Sequence, residues 1–318
     1  METDWLSRLL DMIPVQGHLD IRCFYGAPWQ LPQAAAEEGV IPYHIVVSGS
    51  AVLEMPDAPG TVRLSAGDML ILPHGSAHLL HDGSGRRGKA ARMRAIQNIQ
   101  ISENAGAGDR LDMLCGRFVI ASPHDRLLKS YLPARVVVRS SGPATDVLKQ
   151  SATELTSLVS LMRTESAGEN LGGRALLNGL STAMFALALR QASEMPSPPM
   201  GLLALAAHPR LMPALNAMLN TPAHPWTLPE LARLCHMSRA TLARQFDDAL
   251  GKSANQLLTG IRMSMAANAL ARPGAATGSV AADIGYQSEA AFQRAFKAHM
   301  GVTPAQWRRN PRTGPRIP

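Results

Sequence analysis

Apolar positions along the chain repeat with two different periods. Residues 5–12 put Trp5, Leu6, Leu9 and Met12 on one side of a short helix. From Ile21 to about Arg139 the pattern changes to short β segments punctuated by Gly and Pro, at 21–25, 43–48, 51–54, 61–64, 68–72, 77–81 and 113–121. Ser48-Gly49-Ser50 supplies a tight turn between two of them, and many short strands at this spacing predict a sandwich or barrel. Residues 82–110, Gly-rich and with five basic residues from Arg86 to Arg94, read as a long insertion between strands, a solvated loop or a second nucleic-acid contact.

From Thr145 the period returns to 3.6. It predicts helices over 147–165, apolar at Leu148, Ala152, Leu155, Val159 and Met162, and over 172–193, apolar at Leu176, Leu177, Leu180, Met184 and Leu187. The stripe Leu176, Leu180, Met184 and Leu187 exceeds what one small barrel face needs, so the helical pair is expected to join two subunits as a homodimer. Pro196-Ser197-Pro198-Pro199 reads as a linker, and His208-Pro209-Arg210-Leu211 opens a further helix.

The stretch from Trp226 to Arg309 contains one unit twice. A shift of 50 residues lays Thr227 on Thr277, Ala232 on Ala282, Leu234 on Ile284, Ser238 on Ser288, Leu242 on Phe292, Arg244 on Arg294, Phe246 on Phe296 and Gly251 on Gly301. Each copy reads as a helix, a short turn and a second helix. Thr227-Leu-Pro-Glu230 is a capping box opening a helix over 228–235, with Leu228, Leu231, Ala232 and Leu234 turned to a core. Ser238 caps the next helix, on which Leu242, Phe246 and Leu250 form one buried stripe and Ala240, Thr241, Arg244 and Asp247 the outward face. In the second copy Phe292 and Phe296 point in, and Ala290, Arg294 and Lys297 point out. A helix crossing the DNA major groove needs this layout: small residues for close approach and a guanidinium that can fork onto guanine or phosphate. A plain helical bundle with solvated arginines would not place Arg two residues before a buried Phe in two copies.

Charge supports the same assignment. Residues 201–318 carry 13 Lys and Arg against 5 Asp and Glu, a net +8, while residues 1–200 carry 18 against 19. The positive excess therefore lies with the repeated unit, as a polyanion partner requires. Hydrophobic content of 46% with 17% charged residues over 318 residues suits two domains with real cores. The acidic, amphipathic N-terminus does not resemble a secretory signal, and no apolar run reaches the roughly 18 residues of a membrane span, so a cytoplasmic protein without membrane contact is expected.

Gly285-Tyr-Gln-Ser-Glu-Ala-Ala-Phe-Gln-Arg-Ala-Phe-Lys297, Gly301-Val-Thr-Pro304 and Trp307-Arg308-Arg309 closely resemble the C-terminal signature of AraC/XylS-type transcription regulators, and 237–246 resembles the first recognition helix of that family. The resemblance covers about 85 residues. It departs at Thr277-Gly278-Ser279, where the first helix of the second unit is expected to begin late. The resemblance implies double-stranded DNA as partner, with RNA polymerase recruited by an activator. Arg244 and Arg294 are the candidates for base contact, and Arg239, Thr241, Gln245, Ser288, Glu289, Gln293 and Lys297 for flanking contacts. A helix over 254–271 joining the units would set the two recognition helices in successive major grooves, about 34 Å apart.

In the N-terminal half, Gly67-Asp-Met-Leu-Ile-Leu-Pro73-His-Gly75-Ser-Ala-His78 resembles the second conserved motif of cupin barrels. Metal-binding cupins use the His at the place of His78 as a ligand, but their His-x-His and Glu are missing here and His44 is the lone histidine near that stretch. His44 and His78 are thus the candidate ligands of a site that is expected to hold no metal, with His74, His81, Cys23 and Cys115 as conceivable helpers; no cofactor and no enzymatic activity are expected. The fold class expected is two domains: a cupin-like β-barrel with a helical pair, then an all-α domain of two helix-turn-helix units. The divisions expected are 1–140 for the barrel, 141–195 for the helical pair, 196–207 for the linker and 208–310 for DNA binding.

Three cysteines far apart make no disulfide scaffold. Cys235, among Leu231, Leu234 and Met237, reads as a small core residue, and the same reading is open for Cys23 and Cys115. Against it, His18-Leu-Asp-Ile-Arg-Cys23, Trp29-Gln-Leu-Pro32, Leu53-Glu-Met-Pro56, Leu114-Cys115-Gly116 and His208-Pro-Arg-Leu211 resemble AraC-type activators that respond to reactive chlorine species. That resemblance implies redox sensing by Cys23 and Cys115, with a thiolate beside Arg22 or Arg117 passing through a sulfenyl species to a disulfide. A small-molecule effector in the barrel remains the alternative, and a cupin enzyme with a DNA-binding tail a further one.

Overall fold

The computed structural model describes residues 3–122, 124–140 and 146–309, without the side chains of residues 59 and 146–149. In chain order the N-terminal elements are α1 (Trp5–Met12), β1 (Val15–Gly26), β2 (Gln30–Gln33), β3 (Val40–Ser48), β4 (Ser50–Met55), β5 (Ala58–Ser65) and β6 (Met69–Ile71). Then come β7 (His78–His81), β8 (Ala91–Ala95), β9 (Gln100–Asn104), β10 (Arg110–Ile120), α2 (His124–Tyr131) and β11 (Val136–Val138). The helical remainder is α3 (Asp146–Glu165), α4 (Gly173–Glu194), α5 (Leu202–Ala207), α6 (Met212–Asn220), α7 (Leu228–Leu234), α8 (Arg239–Leu250), α9 (Ala254–Leu270), α10 (Thr277–Asp283), α11 (Glu289–Met300) and α12 (Pro304–Arg309). Among the described residues no helix is long and apolar enough to cross a membrane.

The chain forms two compact units that interleave in sequence. One takes residues 15–119 and 133–196; the other takes 1–14, 120–132 and 197–318. This differs from a break after residue 195, because α1 and α2, which precede that break, are helices that pack with α6 and α9. Leu127, Leu128 and Tyr131 of α2 are buried at i, i+1 and i+4, a helical signal short enough to be hidden between two strands. Likewise the stretch expected as linker contains α5, whose Leu202, Leu203 and Leu205 are buried and which packs on α8.

The first unit is a two-sheet barrel. A seven-stranded sheet has the order β11-β6-β3-β10-β1-β9-β8, and a four-stranded sheet the order β2-β7-β4-β5. The insertion expected over 82–110 is not an unstructured loop: β8 and β9 pair antiparallel within it, and β9 joins β1 in parallel. Every residue of β8 is exposed, so its side chains carry no alternating pattern to read. In the Pro73–Gly75 turn Gly75 takes the left-handed region at φ +65°, and its N–H donates to the Leu72 carbonyl at 2.9 Å. Between the sheets lies a cluster that includes Cys23, Tyr25, Trp29, Leu53, Leu80, Met113 and Cys115.

Helix α4 covers the outer face of β1, and the approach is close. A Cβ on Gly17 would fall 2.4 Å from the Ser181 backbone, and the Gly17 N–H donates to Thr182 Oγ1 at 2.8 Å. Phe185 packs on Phe118, which stacks on Tyr43. This contact consumes part of the stripe expected for dimerisation. Leu177 and Met184 are fully buried in their own unit, while Leu176 is 44% exposed and Leu180 and Leu187 are half-buried. On α3 Leu155 and Met162 are buried and Leu161 is exposed; Leu148 lies outside the described side chains.

The second unit is all-α. Helix α9 runs through it, about 25 Å long at 1.5 Å per residue. Asn268 on α9 ties two incoming segments to it: its amide donates to the Met12 carbonyl at 2.9 Å and its Oδ1 accepts from His124 Nε2 at 2.7 Å. The Tyr131 hydroxyl donates to the Gln256 carbonyl at 2.9 Å, and burial pushes that phenol up to about 12.

Candidate functional site: a buried thiol pair and two recognition helices

The two helix-turn-helix copies are built by the same local rules in the same register. Ser238 and Ser288 each accept the N–H three residues on, and Gly251 and Gly301 close α8 and α11 in the left-handed region at φ +67° and +76°. Leu242, Phe246 and Leu250 are buried, as are Phe292, Phe296 and Met300. The repeat extends one helix further than expected: Ser253 with Gln256 and Thr303 with Gln306 form matching boxes at the starts of α9 and α12.

The copies differ at their first helices. Thr227 and Glu230 complete a capping box on α7. Helix α10 does not begin late; it starts at Thr277, from an Ala276 cap whose methyl can accept no hydrogen bond, and Val280 in the place of Glu230 removes the reciprocal half of the box as well. The inward set expected on α7 is also narrower. Leu231, Ala232 and Cys235 are buried, but Leu228 and Leu234 are 39% and 40% exposed: Leu234 falls off the stripe that 231, 232 and 235 define, and Leu228, though on it, is the first residue of the helix.

On the outward faces Arg239, Arg244, Gln293, Arg294, Lys297, Ser288 and Glu289 are exposed, while Thr241 and Gln245 are half-buried. Two of these are partly engaged already. Ser288 caps α11 through Ala291 N at 3.2 Å, and Gln293 Nε2 donates to Glu289 Oε1 at 2.8 Å. Gln245 Oε1 is a buried acceptor without a partner among the described residues.

In the barrel the structure assembles four residues that the sequence keeps far apart. Cys23 on β1 and Cys115 on the adjoining β10 have Sγ atoms 3.9 Å apart. Cys115 pairs in register with His44 on β3, whose Nδ1 lies 3.1 Å from Cys115 Sγ. His44 Nε2 is 2.8 Å from Nε2 of His78, on β7 of the opposite sheet, and His78 Nδ1 is 3.0 Å from the Ser76 carbonyl. All four residues are buried. Cys235 belongs to the other unit, where it is a core residue and burial pushes its thiol up.

Electrostatics separates the two thiols. The hydrogen bond from Cys115 lowers Cys23 below the ordinary thiol value, against its burial. The same bond, with burial and the Cys23 charge, holds Cys115 well above it. The cationic activation expected from Arg22 or Arg117 is not there. Arg22 leaves the opposite face of β1 to fork onto Asp112 at 2.7 and 2.9 Å, and Arg117 pairs with Asp20 at 2.7 Å. Strand alternation turns residue 22 away from the side that residue 23 faces.

Burial pushes His44 down to about 3, with the nearby His78 adding to it, and burial also lowers His78. His44 thus faces Cys115 with one nitrogen and His78 with the other, and donors on opposite sides of a ring do not converge on one ion. Two histidine nitrogens on a tetrahedral zinc stand roughly 3.3 Å apart, further than this pair. The four residues do not fit a cupin metal. Among the described residues no group of three or more His, Cys, Asp or Glu has metal-holding geometry. His81 is placed instead 3.3 Å from Glu54.

A family model described as Cupin matches residues 4–194, and one described as Helix-turn-helix domain matches residues 231–310. The chain is 30% identical to the RCS-specific HTH-type transcriptional activator RclR of Escherichia coli strain K12, over 96% of this chain and 97% of that protein. It is 27% identical to the HTH-type transcriptional regulator MtrA of Neisseria gonorrhoeae, over 96% and 98%. Among solved structures, the C-terminal domain of AraT, a response regulator from Geobacillus stearothermophilus, is 32% identical over 32% of this chain and 84% of that one, with a TM-score of 0.30. With a cupin domain ahead of a doubled helix-turn-helix, the chain belongs to the AraC-type transcriptional regulators, which bind double-stranded DNA.

Proposed function

We propose that the protein is an activator whose action at its operator is switched by oxidation of Cys23 and Cys115 to a disulfide. The observation that carries this reading is the thiol pair itself. Two cysteines 92 positions apart meet at 3.9 Å inside an otherwise largely apolar cluster. Closing to a bond of about 2.05 Å asks for a shift of under roughly 2 Å between neighbouring strands. The lowered Cys23 supplies the nucleophile. The relative at 30% identity is an RCS-specific activator, which supports oxidant control here.

In sequence, the two strands that carry the thiols neighbour helices that belong to the DNA-binding unit: β1 follows α1, and β10 precedes α2. Asn268 holds both helices to α9, which joins the two helix-turn-helix copies. Asn268→Ala should therefore leave disulfide formation intact and blunt the transcriptional response. The protein acts as a homodimer through the outward residues Leu161, Leu176, Leu180 and Leu187, contacts RNA polymerase when active, works in the cytoplasm where the operator is, and catalyses no reaction. Arg244 and Arg294 read bases, and Lys297 holds phosphate.

One observation favours a second reading, a small-molecule effector. A cavity of about 450 Å³ beside Tyr25 and Trp29 is lined also by Arg87, Lys89 and Met93, a size and character suited to an anionic aromatic ligand. Promoter-reporter assays under hypochlorous acid with Cys23→Ser and Cys115→Ser separate the two. Loss of induction in Cys23→Ser supports the redox reading, and unchanged induction in both variants sinks it.

A further inference from the structure

The tautomers along the histidine pair are set from one end. The Ser76 carbonyl can only accept, so His78 Nδ1, 3.0 Å away, carries the hydrogen. A neutral His78 then has a bare Nε2, and the 2.8 Å contact requires His44 Nε2 to donate to it. That leaves the lone pair of His44 Nδ1 directed at Cys115 Sγ, 3.1 Å away. A backbone carbonyl near the rim of one sheet thus dictates a bare nitrogen beside a thiol in the other.

We propose that His44 and His78 form a proton relay that removes the Cys115 proton as the Cys23–Cys115 bond closes, with His44 the general base and His78 the positioning residue that receives the charge. This rests on the redox reading above. With hypochlorous acid as oxidant, the Cys23 thiolate attacks chlorine: an S–Cl bond forms, the O–Cl bond breaks and hydroxide leaves. Cys115 Sγ then attacks Cys23 Sγ. The S–S bond forms and chloride departs, while the Cys115 proton passes to His44 Nδ1 and the His44 Nε2 proton passes to His78 Nε2. The sulfur pair loses two electrons, chlorine gains two, and His78 ends as an imidazolium that can neutralise the hydroxide.

Two features of the site call for such a relay. Cys115 keeps its proton at rest, so a base must take that proton during bond formation. Burial disfavours a charge on both rings, but His78 also has the Ser76 carbonyl at 3.0 Å to stabilise one, which His44, the group in contact with Cys115, lacks. Once Cys23 is chlorinated it no longer accepts the Cys115 hydrogen, and the Nδ1 lone pair is the acceptor left in reach.

The test follows the disulfide step in the full reduced protein, mixed rapidly with stoichiometric hypochlorous acid and quenched for peptide mass mapping. In mixtures of light and heavy water the wild-type rate of this step should fall along a curve, because two protons move together. His44→Gln and His78→Gln should each slow it about 100-fold, the range of general acid–base catalysis, and let the singly oxidised Cys23 accumulate. A linear dependence on deuterium content would overturn the relay, as would wild-type closure rates in both variants, and the wild-type measurement holds even if His44→Gln does not fold. Wild-type protein that loses the Cys23 thiol and never forms the disulfide would instead refute the redox reading itself.

Discussion

The two units place their chemistry on opposite sides of their surfaces. In the DNA-binding unit the residues proposed to touch DNA are on the outward faces and the buried ones hold them, so Arg294 stands out beside Phe292 and Phe296, which are fully buried. In the barrel the residues proposed to work are themselves core: Cys23 is 1% exposed, His44 4% and His78 3%. A site of the first kind should lose binding without losing stability when its outward residues change. One of the second kind couples every change to packing, ionisation and stability together.

The largest separation should come from the inward aromatics. Phe292→Ala should cost about 3–5 kcal/mol in unfolding free energy of the DNA-binding unit, measured by denaturant titration, because it opens a cavity at a fully buried ring. Loss of DNA binding in that variant would follow from unfolding.

Acid should next weaken the barrel more than the DNA-binding unit, where burial lowers His124 and His299 in the same direction. Unfolded His44 takes a proton near pH 6.5, whereas the folded residue resists until about 3. The stability this represents is complete above pH 6.5 and drains as pH falls toward 3, by up to about 1.4 kcal/mol per pH unit. Burial lowers His78 too and adds in the same direction. Thermal melts of the barrel should decline over that window, and His44→Gln should flatten the decline.

Arg244→Ala and Arg294→Ala should each cost about 1–3 kcal/mol of operator binding and relax specificity in one half-site, with melting unchanged. Lys297→Ala should weaken all sequences alike and shallow the salt dependence. Footprints that fade uniformly in both Arg variants would undo this division. The smallest effect belongs to the uncapped α10, where Ala276→Ser should add up to about 1 kcal/mol of stability and Thr227→Ala in the first copy should remove a similar amount.

What could be read in advance follows the same division. The helix-turn-helix copies were legible because caps, stripes and outward arginines are local features recurring every 3.6 residues, and their 50-residue register held through Gly301. Short segments punctuated by Gly and Pro, with the motif from Gly67 to His78, likewise exposed the barrel. The His44–Cys115 contact was not legible, because it depends on the register between β3 and β10, and the His44–His78 contact depends on how the two sheets face each other. Arg22 beside Cys23 suggested activation by adjacency, when strand alternation separates the two side chains. Helix α2 and strands β8 and β9 were hidden by brevity and exposure.

If the proposed switch operates, Cys23 and Cys115 govern what the recognition helices do. Purified reduced protein, operator DNA and RNA polymerase can be mixed and treated with graded hypochlorous acid, with transcript and the Cys23–Cys115 disulfide quantified in the same samples. Transcript should rise in proportion to that disulfide and fall back on reduction. A full rise in transcript while both thiols remain free would contradict the account.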